Sequence, residues 1–135
     1  MLESYAKVAT LLLVAFLFGG MFLFSAGFAA LLFKYLPPKD ARMLIRNAFP
    51  PFYLFVIFSS GVASLLSSQT DLFSAGCMAF VMMTAVAARQ LLMPAINRAT
   101  DTGFRKRFAW LHGFSVVLTL IHIVVAGIVL VHIAS

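Results

Sequence analysis

His112, Ser115, Thr119 and His122 lie in one apolar stretch near the end of this 135-residue chain. At about 100° per residue they share a helical arc of about 80°. Lipid offers such polar groups no partner, so all four are expected to face the other helices, where they can do two kinds of work. They can hydrogen-bond to neighbouring helices and fix how those pack. They can also hold a ligand or move a proton, which is the role suggested by a histidine at depth in an apolar segment. His132 falls outside the arc and is expected near the end of its helix.

Depth-matching gives His122 its neighbours. The middles of the other apolar stretches fall near Gly19-Gly20, Ser59-Ser60-Gly61 and Met82-Met83-Thr84. Cys77, Met78, Met82 and Met83 cluster in one of them, with Met78 and Met82 four residues apart on one face. Soft sulfur ligands beside a histidine suit copper(I), so His122, Met82, Met83 and Cys77 form a candidate metal set. Methionine filling irregular gaps is the competing use. Histidine occurs only after residue 111, so two helices of one copy offer no bis-histidine haem site; a haem b held by His and Met is the remaining haem geometry. Arg89 is the one basic residue inside an apolar stretch, and those stretches contain no Asp or Glu to neutralise it. It is expected to reach lipid phosphate, or to share a cavity with His112 and hold an anionic group. The motifs of zinc peptidases, P-loop proteins and serine hydrolases are absent, and the lone cysteine makes an internal disulfide impossible. With no convincing catalytic group, the chain is expected not to be an enzyme and to carry no cofactor, haem b and copper being the alternatives.

The elements that position these residues follow from composition. The chain is 63% hydrophobic and 10% charged, against about 45–50% and about 25% in ordinary soluble domains. So much apolar surface needs lipid as part of its solvent. Four long apolar stretches predict one all-α domain over residues 1–135, an integral membrane four-helix bundle. The spans are expected at about 8–33, 51–66, 72–93 and 108–134. Phe49-Pro50-Pro51 marks the start of the second, Pro94 the end of the third, and Thr70 or Asp71 the cap between them. The first apolar run is too long for a cleaved signal peptide.

Net charge is +6, and its placement matters more than its size. Lys34, Lys39, Arg42 and Arg46 lie in the first connection; Arg98, Arg105, Lys106 and Arg107 lie in the third. By the positive-inside rule those connections are cytoplasmic and both termini face out. Basic side chains beside membrane spans touch anionic lipid, so Arg89, Lys39, Arg42, Arg46, Arg105, Lys106 and Arg107 are candidate phosphate contacts rather than a nucleic-acid patch. Between about 38 and 48, Lys39, Arg42 and Arg46 share one helical face, and Ala41, Leu44, Ile45 and Ala48 the other. That pattern predicts a short amphipathic helix on the inner membrane surface, with a solvated basic loop as the alternative. Tyr5, Tyr35, Tyr53 and Trp110 fall near span ends, where an aromatic belt is expected.

Residues 28–37 (FAALLFKYLP), 47–53 (NAFPPFY), Ala88-Arg89, 94–97 (PAIN), 104–108 (FRKRF) and 110–115 (WLHGFS) occur in an order that resembles the transmembrane protein 205-like family. These are small integral membrane proteins of mostly undefined molecular role. The resemblance rests on F-P-x-x-Y, then P-x-I-N, then L-H-x-x-S, and implies importance for His112 and Ser115. The family's asparagine seven residues after the histidine is Thr119 here. The compact third connection is similar to that of bacterial members.

Three functions fit these observations. The first is an accessory or structural subunit of a membrane assembly, contacting lipid and either a larger complex or further copies of itself. The second is export of a small molecule or soft metal through the mid-level of the bundle. The third is a haem-binding redox protein. The expected location is a multi-pass protein of the bacterial cytoplasmic membrane.

Overall fold

The computed structural model describes residues 1–135 and is all-helical. Its four long helices are α1 (Leu2–Tyr35), α2 (Pro38–Ser67), α3 (Leu72–Asp101) and α4 (Arg105–Ala134), each long and apolar enough to cross a membrane. The helices satisfy their own backbone: 105 of 118 backbone hydrogen bonds lie within them. That is the requirement hydrocarbon places on any segment crossing it, and it overrides the weak helix propensity of the many Val, Ile and Phe residues. The protein is a multi-pass integral membrane protein. A 30-residue helix is about 45 Å long against a hydrocarbon layer of about 30 Å, so the helix ends project beyond the lipid tails.

Successive helices run antiparallel and pack α1 on α2, α2 on α3, α3 on α4 and α4 back on α1, closing a four-membered ring. Both termini and the Ser68–Asp71 turn lie at one end, here called the terminal end. The short connections at 36–37 and 102–104 lie at the other, the basic end. Gly103 takes φ +73° in the second of these, a left-handed conformation that glycine adopts without the Cβ penalty.

Two expected boundaries change. The stretch 38–48 is not a separate interfacial helix; it forms the first turns of α2 and runs through Pro50 and Pro51 without a break. Its Arg46 donates to both carboxylate oxygens of Asp101 at the end of α3, at 2.7 and 3.0 Å. This fork-to-carboxylate pair ties the stretch along the bundle axis instead of across the membrane surface. Ala41, on its apolar face, is buried. Nor does Pro94 end the third span. A π-helical segment, Ala88–Leu92, precedes it, and Pro94 then sits in the first turn of a further α-helical segment reaching Asp101. Widening the helix by one residue per turn accommodates the missing N–H and the proline ring. A second π segment, Leu23–Phe28, lies in α1. Both π segments and the Pro50–Pro51 pair fall in the half of the bundle toward the basic end.

The core is built from Val14, Leu17 and Met21 of α1, Phe52, Tyr53 and Val56 of α2, Met78, Val81 and Ala85 of α3, and Ala126, Val129 and Ile133 of α4. Large apolar side chains such as Leu12, Phe58, Leu91, Trp110 and Val131 are exposed on the outside, the inverse of a soluble bundle's surface and suited to acyl tails. Helix α1 joins the others through aromatic contacts. Phe24 stacks on Phe52 with ring centroids 4.1 Å apart, and Phe16 meets Phe55 edge-on at 5.2 Å. The other three helices also carry polar ties. Ser64 of α2 donates to the Ala75 carbonyl of α3 at 2.8 Å. At the terminal end, Asp71 caps α3 by accepting from the Ser74 amide at 3.1 Å, and His132 of α4 lies 3.3 Å from the same carboxylate.

Candidate functional site

Buried positions on α4 are Ser115, His122, Ala126, Val129 and Ile133. On a helical wheel they cluster about 60° from His112. Ser115 and His122 therefore face inward, Thr119 is half-buried, and His112 is exposed. The expectation that all four polar residues turn inward is corrected at His112, whose ring instead stacks on Phe108 with centroids 5.5 Å apart.

His122, only 2% exposed, meets Thr84 of α3, with Nε2 2.7 Å from the threonine oxygen. The threonine proton is already committed. Thr84 Oγ1 donates to the Phe80 carbonyl at 2.8 Å, with the Val81 carbonyl at 3.2 Å, and a carbonyl can only accept. Nε2 of His122 therefore carries the hydrogen and donates to Thr84, which leaves Nδ1 with its lone pair. About one turn nearer the basic end, Thr119 donates to the Ser115 carbonyl of its own helix at 3.0 Å. Ser115 donates to the His112 carbonyl at 2.8 Å within its own helix. On this face of α4, His122 makes the one hydrogen bond to another helix, α3.

Tyr53 is the residue the sequence pattern misplaced. It is 2% exposed, packed beside Phe49 and Phe52, and does not belong to the interfacial belt. With α2 beginning at Pro38, Tyr53 lies about 22 Å along the helix, well inside the lipid layer. The spacing of Phe52, Tyr53, Val56, Ser59, Ser60, Ala63 and Ser67, all buried, carries the signal once the helix is read through its prolines. Tyr5, Tyr35 and Trp110 are exposed.

The soft-ligand set is divided. Met82 Sδ lies close over Gly61 of α2, while Met83 is 66% exposed on the outer face. Cys77 is a half-buried free thiol. Ser60, at the depth of His122, donates to the Val56 carbonyl of its own helix at 2.6 Å. Arg89 sits in the π segment of α3, and its Nε is buried without a hydrogen-bond partner. Lys39, Arg42, Arg46, Arg105, Lys106 and Arg107 are all exposed at the basic end, and among them only Arg46 is held in an ion pair.

Two open apolar depressions flank Phe114 on the outside of α4. One, of about 490 Å³, runs along Ala109, Trp110, Gly113 and Val117. The other, of about 380 Å³, lies between α3 and α4.

No curated protein and no solved structure matches the chain. One family model does, over residues 12–105, taking in most of α1, all of α2 and α3, and stopping at the first residue of α4. Thr84 and Arg89 fall within that span; the polar stripe of α4 lies beyond it. On this match the chain belongs to the family described as a domain of unknown function, DUF4149.

Proposed function

We propose that this protein is a non-catalytic component of a membrane assembly, held with its basic end in the cytoplasm and its termini outside a bacterial cytoplasmic membrane. The observation that carries this reading is that the interior polar groups bond within the bundle. His122 bonds Thr84 across two helices, and Thr119, Ser60 and Ser67 bond carbonyls of their own helices. Such groups fix helix register and rotation, so the bundle acts as a shaped body presenting fixed outer faces. The orientation rests on charge: nine of the ten Lys and Arg residues lie toward the basic end, all but Lys7. That collar suits the anionic inner leaflet. A kinship with the transmembrane protein 205-like family accords with this reading through the L-H-x-x-S sequence at residues 111–115.

One observation favours an additional role. The unpartnered Nε of Arg89 in an irregular helical segment is the kind of group that retains an anion, since a buried donor left unbonded is costly.

The test is affinity purification of the full chain from its native membranes in mild detergent. A companion protein at fixed stoichiometry is expected, and it should survive His122→Ala only if that variant still folds. A monodisperse lone chain, recovered intact and without companion under crosslinking, would overturn the assembly role.

A further inference from the structure

The groove between α3 and α4 has apolar walls and a charged mouth. Ala88, Leu91 and Ala95 form one wall; Leu111, Phe114 and Leu118 form the other. Along α3, Arg98 follows Ala95 by three residues; along α4, Arg107 precedes Leu111 by four. Both intervals return to nearly the same side of a helix. Each wall thus continues, one turn toward the basic end, into an arginine. Arg98 and Arg107 are exposed and flank the short connection between the two helices. The acid nearest them in sequence, Asp101, is occupied by Arg46, so neither arginine is neutralised.

The dimensions fit one kind of occupant. From Thr84, which also lines the groove, to Ala95 is about 17 Å along α3. One leaflet's hydrocarbon is about 15 Å deep. The groove is therefore as long as the acyl region of a single leaflet, on the side carrying the arginines. A transmembrane helix of a partner would continue through both leaflets, whereas this groove stops near mid-depth at Thr84 and Leu118.

We propose that this groove is a binding site for one anionic glycerophospholipid of the leaflet at the basic end. Its phosphate sits between Arg98 and Arg107, and one acyl chain lies along Ala88, Leu91, Ala95 and Phe114. Arginine's planar fork suits a phosphate, and the apolar walls of the open groove give one acyl chain a fixed surface to lie against instead of mobile tails. This goes beyond general attraction of the basic collar to the membrane, because it assigns two of nine cations to one site.

The experiment is native mass spectrometry of the full chain in detergent, titrated with phosphatidylglycerol or with phosphatidylcholine of the same acyl chains. The expected result is one tightly retained phosphatidylglycerol and weak phosphatidylcholine. Arg98→Gln with Arg107→Gln should weaken phosphatidylglycerol binding about thirtyfold, at about fivefold for each basic residue near a phosphate. Arg42→Gln with Lys39→Gln removes the same charge elsewhere on the collar and should leave the retained lipid in place. Ala95→Phe fills the groove without altering charge and should abolish retention; circular dichroism and elution volume establish that each variant is folded. Equal losses from both charge pairs would reduce the site to collar electrostatics. Retention through Ala95→Phe, equal binding of the two lipids, or a groove protected by a second copy in a dimer would each overturn the proposal. A variant that unfolds leaves the decision to the other, since the charge and the groove are altered separately.

Discussion

Replacing Thr84 with valine tests the buried pair that joins α3 to α4. Valine keeps the branched shape but offers His122 Nε2–H no acceptor. The imidazole is 2% exposed, so neither water nor lipid replaces the lost bond. A stranded buried donor costs about 1–3 kcal/mol; interhelical bonds in membranes average about 0.6 kcal/mol and reach about 1.7. Thr84→Val should therefore destabilise the bundle by about 1–2 kcal/mol. His122→Phe should differ in kind. Thr84 keeps its bonds to the Phe80 and Val81 carbonyls, so removing the histidine strands no donor on threonine and the cost is one of packing. In the double variant the two effects should fall short of their sum by about 0.6–1.7 kcal/mol. Thr84→Ser, which retains the oxygen, should behave like the parent apart from one lost methyl. The assay is reversible unfolding in bicelles by steric trapping, with all five proteins, the parent included, measured at one lipid composition. Additivity within about 0.3 kcal/mol would show that Thr84 and His122 do not interact, and the hydrogen-bond assignment would fail with it.

Other expectations follow from single contacts. A Cβ at Gly20 would lie 2.7 Å from Phe55 Cζ, so Gly20→Ala should cost about 1–3 kcal/mol by overpacking, and Phe55→Leu in the same chain should recover part of it in the same unfolding assay. Asp71→Asn and acid should act alike. Burial pushes the Asp71 carboxyl up, but the hydrogen bonds from Ser74 and the neighbouring His132 outweigh it and hold the carboxyl below its ordinary range. A depressed carboxyl stabilises above its unfolded value of about 3.9 and loses that contribution as pH falls further. Hydrogen exchange at the Ser74 amide should then accelerate below about pH 4 and lose its pH dependence in Asp71→Asn; protection unchanged down to pH 2.5 would contradict the cap. Asp101→Asn should loosen residues 38–48 specifically, seen as faster exchange there with the rest of α2 unaltered.

The four-helix architecture was readable because uninterrupted apolar runs leave few alternatives in lipid. Where the sequence misled, proline was the usual cause. Pro50-Pro51 and Pro94 read as boundaries because an interior proline loses a backbone bond and clashes with the preceding turn. The π segment before Pro94 and the Arg46–Asp101 pair at the end of the helices are tertiary and local adjustments that no periodicity announces. Treating Pro51 as a helix start moved Tyr53 to the interface and hid it from the interior. On α4, helical spacing grouped Ser115, Thr119 and His122, of which Ser115 and His122 are buried and Thr119 is half-buried, but His112 stood at the edge of the polar arc, where a small rotation decides between interior and lipid. Depth-matching brought Thr84 to the level of His122; it could not choose Thr84 over Ser59 or Ser60. The groove between α3 and α4 has no sequence signature because it depends on which faces of two helices are left apart.

The rotation of α4 sets the face through Ser115, His122 and Ala126 inward and the face through Val117, Val124 and Val131 toward lipid. Single nitroxide labels at successive positions from 115 to 131, in a Cys77→Ala background in liposomes, measure that rotation through collision with oxygen. Accessibility should oscillate with a period of about 3.6 residues, lowest at 115, 122 and 126 and highest at 117, 124 and 131. A flat profile, or one with minima at 117 and 124, would contradict the bundle and the function drawn from it.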